Sequence, residues 1–131
     1  MEKFGLIKKS PKLVYNKDCT KPILSIIIVT YNSKEDIFNC IDSIQKSTCM
    51  PYEIIIVDND SSDGTQNYLR EVEKQYHIRI IFNSRNLGFS VSTNQGIKAS
   101  HGEYLVLLNP DTIVTKDWAW HLMLHFSENI W

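Results

Sequence analysis

Four short apolar runs, ILSIIIVT (23–30), EIIIVD (53–58), HIRIIF (77–82) and YLVLL (104–108), constrain what this chain can fold into more than any other feature. They are rich in β-branched residues and lack the strict alternation of a half-exposed sheet, so both of their faces need cover. The segments between them supply it. Ser33 opens a helix with Lys34, Glu35 and Asp36 in its first turn, and Ile37, Cys40, Ile41 and Ile44 follow at i, i+3, i+4 and i+7. The polar stretch DNDSSDGT leads into a second helix carrying Tyr68, Leu69, Val72 and Tyr76 on one face. A third helix is predicted over 90–99, stopping before Gly102, and a fourth over 118–126. Strands and helices in strict alternation predict an α/β, Rossmann-like layered fold around a central, mostly parallel sheet.

At 131 residues the chain is one domain, and about two-thirds of its unfolded surface is buried on folding. Residues 1–22 mix Lys, Pro and scattered apolar residues without a period and are predicted to form an N-terminal arm or lead-in, leaving 23–131 as the folded domain. Lys and Arg number 14 against 15 Asp and Glu, with no block of either sign, which argues against nucleic acid as a partner. The longest apolar stretch, from Ile23 to Val29, is far shorter than the roughly 20 residues of a spanning helix, so no transmembrane segment is expected, while peripheral membrane association stays compatible. Cys19, Cys40 and Cys49 form no C-x-x-C pair and follow no apolar leader, which reads as reduced thiols and a cytoplasmic setting. His121 and His125 stand four apart on a helix but lack a third ligand for zinc. Trp118 and Trp120 read as core and hinge.

Ligands of such sheets sit beyond the carboxyl ends of the strands. Those ends read Thr30-Tyr31-Asn32, Asp58-Asn59-Asp60, Asn83-Ser84-Arg85-Asn86 and Asn109-Pro110-Asp111. Lined along one edge, they make a cleft with three carboxylates, several amides and one guanidinium. In the last of them proline forbids further pairing and fixes its own φ, which holds Asp111 at a defined place just past the strand. Arg85 either pairs with a diphosphate there or is solvated. No acidic pair follows the first strand, against a phosphoacceptor receiver, and no G-x-G-x-x-G follows it, against a dinucleotide enzyme.

The set TYNS (30–33), VDNDSSDGT (57–65), NLGFSVSTNQGI (86–97) and LLNPDT (107–112) resembles the donor-binding half of the family 2 glycosyltransferases, which have the GT-A fold. The resemblance runs from about Ile23 to Trp118. It implies a nucleotide-sugar site made by Thr30, Tyr31, Asn32, Asp58, Asn86, Gly88, Asn94, Asn109 and Asp111. In it the base stacks near Tyr31, and Asp58 accepts the N–H that uracil and thymine carry between their carbonyls, a contact cytosine lacks. The other reading of Asp58 is a helix N-cap or loop carboxylate. Gly88 lets the backbone approach the donor closely, and Asn94 ties the loop down.

Asp111 holds the last acidic position of the family's D-x-D-type motif and is the implied ligand of Mg2+ or Mn2+, with the diphosphate supplying further oxygens. Asn109 replaces the first acid of that motif, which weakens metal binding without nucleotide. Asp60 stands where the family has a small or neutral residue. Asp63-Gly64 reads as turn and capping chemistry. The implied reaction is inverting transfer from a UDP- or dTDP-linked sugar to a glycan or lipid-linked saccharide at the inner face of the membrane, as in cell-surface polysaccharide biosynthesis. The family's catalytic base lies well beyond the D-x-D strand, so it is expected outside residues 1–131, in a domain truncated after that strand and prone to form homo-oligomers. The alternative is a non-catalytic nucleotide-binding or interaction module.

Overall fold

The computed structural model describes residues 4–8, 21–75 and 77–128. Their elements run β1 (Phe4–Lys8), β2 (Leu24–Thr30), α1 (Lys34–Ser47), β3 (Tyr52–Asn59), α2 (Thr65–Val72), β4 (Ile78–Asn83), α3 (Phe89–Ala99), β5 (Tyr104–Leu108) and α4 (Trp118–Glu128). The four apolar runs are the four parallel strands, in the order β5-β2-β3-β4. The predicted lead-in is not wholly irregular: Phe4–Lys8 forms a fifth strand, antiparallel to β5, with Phe4 opposite Leu108 and Lys8 opposite Tyr104. Period-free composition hid it, because five residues at a sheet edge need little patterning. The β5 edge is thereby covered, and β1 and β4 form the two outer strands.

Lack of alternation in the strands has the cause the sequence suggests, since both faces are covered. On one face Leu24, Ile26, Ile28, Ile54, Ile56, Ile80, Val106 and Leu108 pack with Ile37, Ile41 and Ile44 of α1, Leu69 and Val72 of α2 and Trp118 of α4. On the other, Ile27, Ile55 and Leu105 meet Ile97 and Ala99 of α3. Burying each such aliphatic side chain stabilises the fold by roughly 1.5–3 kcal/mol before chain entropy is counted. α3 lies close to the sheet because Gly96 faces it: a Cβ there would stand 2.6 Å from Cγ2 of Ile27.

α2 ends at Val72, sooner than a face reaching residue 76 requires, and Tyr76 lies outside the described residues, as does Cys19. Trp118 is core, its Nε1–H donating to Thr48 Oγ1 at 2.9 Å, but Trp120 points outward and is 60% exposed. Among the described residues no helix is long and apolar enough to cross a membrane.

Candidate functional site

The chain moves from β2 outward through β3 to β4 and then crosses back to place β5 on the other side of β2. Strand order therefore reverses between β2 and β5, and a crevice opens at their carboxyl ends. Thr30-Tyr31-Asn32 lies on one side of it and Asn109-Pro110-Asp111 on the other. Asp58 and Asn59 close β3 beside them.

Asp58 closes β3, and its carboxylate holds the loop that follows and the first turn of α2. It lies within the sheet, opposite Thr30 and Phe82, and is fully buried. Its Oδ1 accepts the Ser61 hydroxyl at 2.6 Å, and its Oδ2 accepts the Ser61 N–H at 3.1 Å and Gln66 Nε2 at 3.0 Å. A carboxylate offers about four lone-pair directions, and among the described residues Oδ1 accepts one hydrogen bond, from Ser61. Tyr31, about half exposed, stands at the rim.

Asn32 works mainly on the protein itself. Its backbone, at φ 48°, donates N–H to Ser61 Oγ at 2.8 Å, and its side-chain oxygen accepts Ser62 N–H at 2.7 Å. Asp63 lies next along that seam: its Oδ2 accepts Lys34 N–H at 3.2 Å, capping α1 from a different loop, while its Oδ1 accepts the backbone N–H and hydroxyl of Thr65. Those bonds, the Thr65 hydroxyl foremost, lower the pKa of the exposed Asp63 carboxyl. Ser33 occupies the cap position of α1, yet its hydroxyl donates to Tyr31 O. Asp60 has φ 65°, a left-handed conformation costly to a residue with a Cβ, which gives a physical reason for a small residue at this position.

The α3 side of the site is tied by an amide that sequence reasoning missed. Asn59 is 2% exposed, and its Oδ1 accepts from Asn83 Nδ2 (3.0 Å), Ser92 Oγ (2.8 Å) and Leu87 N (3.4 Å). Asn83 and Gln95 exchange two further bonds at 2.8 and 2.9 Å. The signal was the density of amides after β3 and β4. Asn86 folds its own turn by accepting Gly88 N–H at 2.9 Å. Gly88 has no protein atom within 4 Å of where a Cβ would stand, so its φ of 83° is what requires glycine here. Asn94 is exposed on α3, and the tie to the loop runs through Asn59 and Asn86 instead. Arg85 is exposed as well.

At β5 the turn predicted from Asn-Pro-Asp forms, with Thr112 N–H donating to Asn109 O at 3.0 Å. α1 holds it: Cys40 Sγ–H points to Asn109 O at 3.9 Å, and Ser43 Oγ accepts Val114 N–H at 3.1 Å. Burial, aided by the nearby charge of Asp111, pushes the Cys40 thiol up to about 12, so it is an inert packing group. Asp111 is exposed at the turn. Among the described residues no three His, Cys, Asp or Glu gather as a cation cage. The donor set therefore suits a hard cation only when a ligand such as a diphosphate brings most of the oxygens. Thr30 Oγ1 and Thr112 Oγ1, flanking the crevice, are buried and find no hydrogen-bond partner among the described residues.

Comparison with known proteins agrees with this architecture. An uncharacterized glycosyltransferase of Haemophilus influenzae is 33% identical over 109 residues, covering 82% of this chain and 34% of its own length. S. aureus TarS 1-349 in complex with UDP superposes with a TM-score of 0.70 at 23% identity, over 80% of this chain and 32% of that one. The mannosyltransferase PcManGT of Pyrobaculum calidifontis, in complex with GDP-Man and Mn2+, superposes at 0.67 and 24% identity, over 76% and 31%. These likenesses confirm the GT-A fold, and the chain spans about a third of the length of the relatives it matches. The glycosyl transferase family 2 model matches residues 25–129, nearly the whole of the domain whose strand ends carry these groups, and the chain belongs to that family.

Proposed function

We propose that this chain is the nucleotide-sugar-binding part of an inverting glycosyltransferase that uses a UDP- or dTDP-linked donor. The observation that carries the reading is the buried carboxylate of Asp58, whose Oδ1 accepts a single hydrogen bond among the described residues, at the end of a sheet whose strand order reverses beside it. In this reading the uracil or thymine N–H donates to Asp58 Oδ1, and the ring lies against Tyr31. Asn86 and Gly88 shape the loop beneath the donor, and the exposed Asn94 and Asn109 amides reach its hydroxyl groups or bound water. Thr30 supports the crevice floor.

Asp111 would hold Mg2+ or Mn2+ together with the diphosphate, and the bound cation would stabilise charge on the leaving group. PcManGT, which shares the fold, is in complex with GDP-Man and Mn2+, in keeping with this pairing of nucleotide and cation. No residue of this chain is assigned as the base that takes the acceptor's proton, and the chain covers 34% of the length of its Haemophilus influenzae relative. The acceptor is a glycan or lipid-linked saccharide, met at the cytoplasmic face of the membrane.

Calorimetry with UDP, dTDP, GDP and CDP in the presence of Mn2+ tests the reading. UDP or dTDP is expected to bind best and CDP worst. Equal binding of UDP and CDP removes base reading by Asp58, and no binding of any nucleotide favours a non-catalytic interaction module.

A further inference from the structure

Ser61 joins the two halves of the base site through one hydroxyl group. Its Oγ donates to Asp58 Oδ1 at 2.6 Å and accepts Asn32 N–H at 2.8 Å, while its own N–H reaches Asp58 Oδ2 at 3.1 Å. A serine hydroxyl has one proton. With a backbone N–H donating to it from Asn32, that proton is directed at Asp58 and nowhere else. Ser61 is 7% exposed, so water does not compete for either bond. The strand carboxylate and the loop carrying Tyr31 thus meet on one hydroxyl group, just past the ladder that pairs Thr30 with Asp58. Asn32 Oδ1, accepting Ser62 N–H at 2.7 Å, makes the same two segments move together.

We infer that Ser61 is a positioning residue for base recognition: it orients the Asp58 carboxylate and fixes Tyr31 at the distance that lets a pyrimidine ring meet both. This rests on the proposed reading of Asp58 as the base reader. Geometry distinguishes Ser61 from an ordinary turn serine. A turn role needs only the bond from its own N–H to Asp58, whereas the hydroxyl reaches across 29 residues of sequence to Asn32. Gln66 holds the same carboxylate through the other oxygen, Oδ2, at 3.0 Å.

The test compares wild type, Ser61→Ala, Ser61→Cys and Ser61→Thr by calorimetry against UDP and CDP with Mn2+. Ser61→Cys is nearly isosteric with a weak S–H donor, which keeps the test open where the alanine variant fails to fold. Ser61→Ala and Ser61→Cys are expected to weaken UDP about tenfold, the scale of one hydrogen bond to a charged group, and CDP much less. The UDP:CDP ratio therefore shrinks, and Ser61→Thr, which keeps the hydroxyl, restores it. Equal losses for UDP and CDP, or an unchanged ratio in both donor-poor variants, overturn the inference while leaving Asp58 as base reader. A wild-type protein that binds the two nucleotides alike overturns both.

Discussion

Asp58 and Asn59, consecutive residues at the end of β3, bind opposite layers of the domain. Asp58 accepts from Ser61 and from Gln66 of α2, whereas Asn59 accepts from Ser92 of α3 and from Asn83 and Leu87. The two-residue period of a strand sends neighbouring side chains to opposite faces, so two adjacent polar residues fix the loops on both sides of the crevice. An apolar pair here would continue the core and leave those loops unanchored.

Asp58→Asn is expected to weaken UDP by about 10- to 100-fold, the roughly 1.5–3 kcal/mol of a charge-assisted hydrogen bond. Since Asp58 is buried and also accepts from Ser61 and Gln66, the variant loses some thermal stability too. The UDP:CDP affinity ratio separates the effects. A ratio as large as in wild type would remove Asp58 from base recognition.

Asp111→Ala is expected to abolish the gain in UDP affinity that Mn2+ brings while leaving metal-free UDP binding nearly unchanged, because the carboxylate is exposed on a turn. Manganese titration without nucleotide should show little, since no three-ligand cluster exists among the described residues. Tight binding of Mn2+ to the nucleotide-free protein would contradict the assignment.

Gly96→Ala should destabilise the domain by about 1–3 kcal/mol although alanine favours helices, because the added Cβ meets Ile27 Cγ2 at 2.6 Å. Pairing it with Ile27→Ala, which removes that methyl, should make the two changes less costly together than their sum. Urea denaturation of the four proteins measures the coupling. Strict additivity would mean that α3 shifts freely on the sheet.

Glu53 lies at the opposite end of the sheet from the site. It accepts Ser25 Oγ at 2.6 Å and His101 N–H at 2.5 Å, and pairs with His101 Nδ1 at 3.2 Å. Burial alone would raise its pKa, but these partners outweigh it and the net shift is downward from 4.5. A lowered folded value means that the stabilisation is fully present above pH about 4.5 and is lost as pH falls through the folded pKa. Glu53→Gln should cost roughly 1–2 kcal/mol at pH 7. Its deficit against wild type should shrink as the pH is lowered in thermal melts, and a constant deficit would deny the linkage.

The strands and the family were legible because each carries its own local signal: β-branched runs for β2 to β5, and motifs at their ends. Thr30, Tyr31, Asp58 and Asp111 lie at the carboxyl ends of β2, β3 and β5, where the sequence placed them, since a parallel sheet delivers its carboxyl ends to one edge. The roles of Asn32, Ser61 and Asn59 were not legible. Each depends on bonds between segments about 30 residues apart, and spacing along one chain does not say which loops touch. β1 escaped for a related reason: its partner, β5, lies about 100 residues away.

Residues 1–131 alone are expected to self-associate and to transfer sugar far more slowly than a full-length relative. Ile113, Trp120 and Leu124 are exposed beyond β5, at 66%, 60% and 43%, on the segment and helix that follow the implied metal turn. Such residues leave water when another surface is offered, and in solution the surface at hand is a second copy. Coverage of β5 by β1 makes this helical side, more than that strand edge, the expected contact. General base catalysis typically supplies a factor of about 100 to 10,000, so under the proposed function, in which no residue here is assigned as the base, at most slow hydrolysis of the sugar nucleotide is expected. Light scattering during gel filtration should show a dimer or larger species that Trp120→Glu shifts toward monomer, without loss of UDP affinity. A strictly monomeric wild type that turns over repeatedly with a glycan acceptor would overturn both expectations and place a base within these residues. Asp60 and Asp117, both at positive φ, would then be the first to substitute.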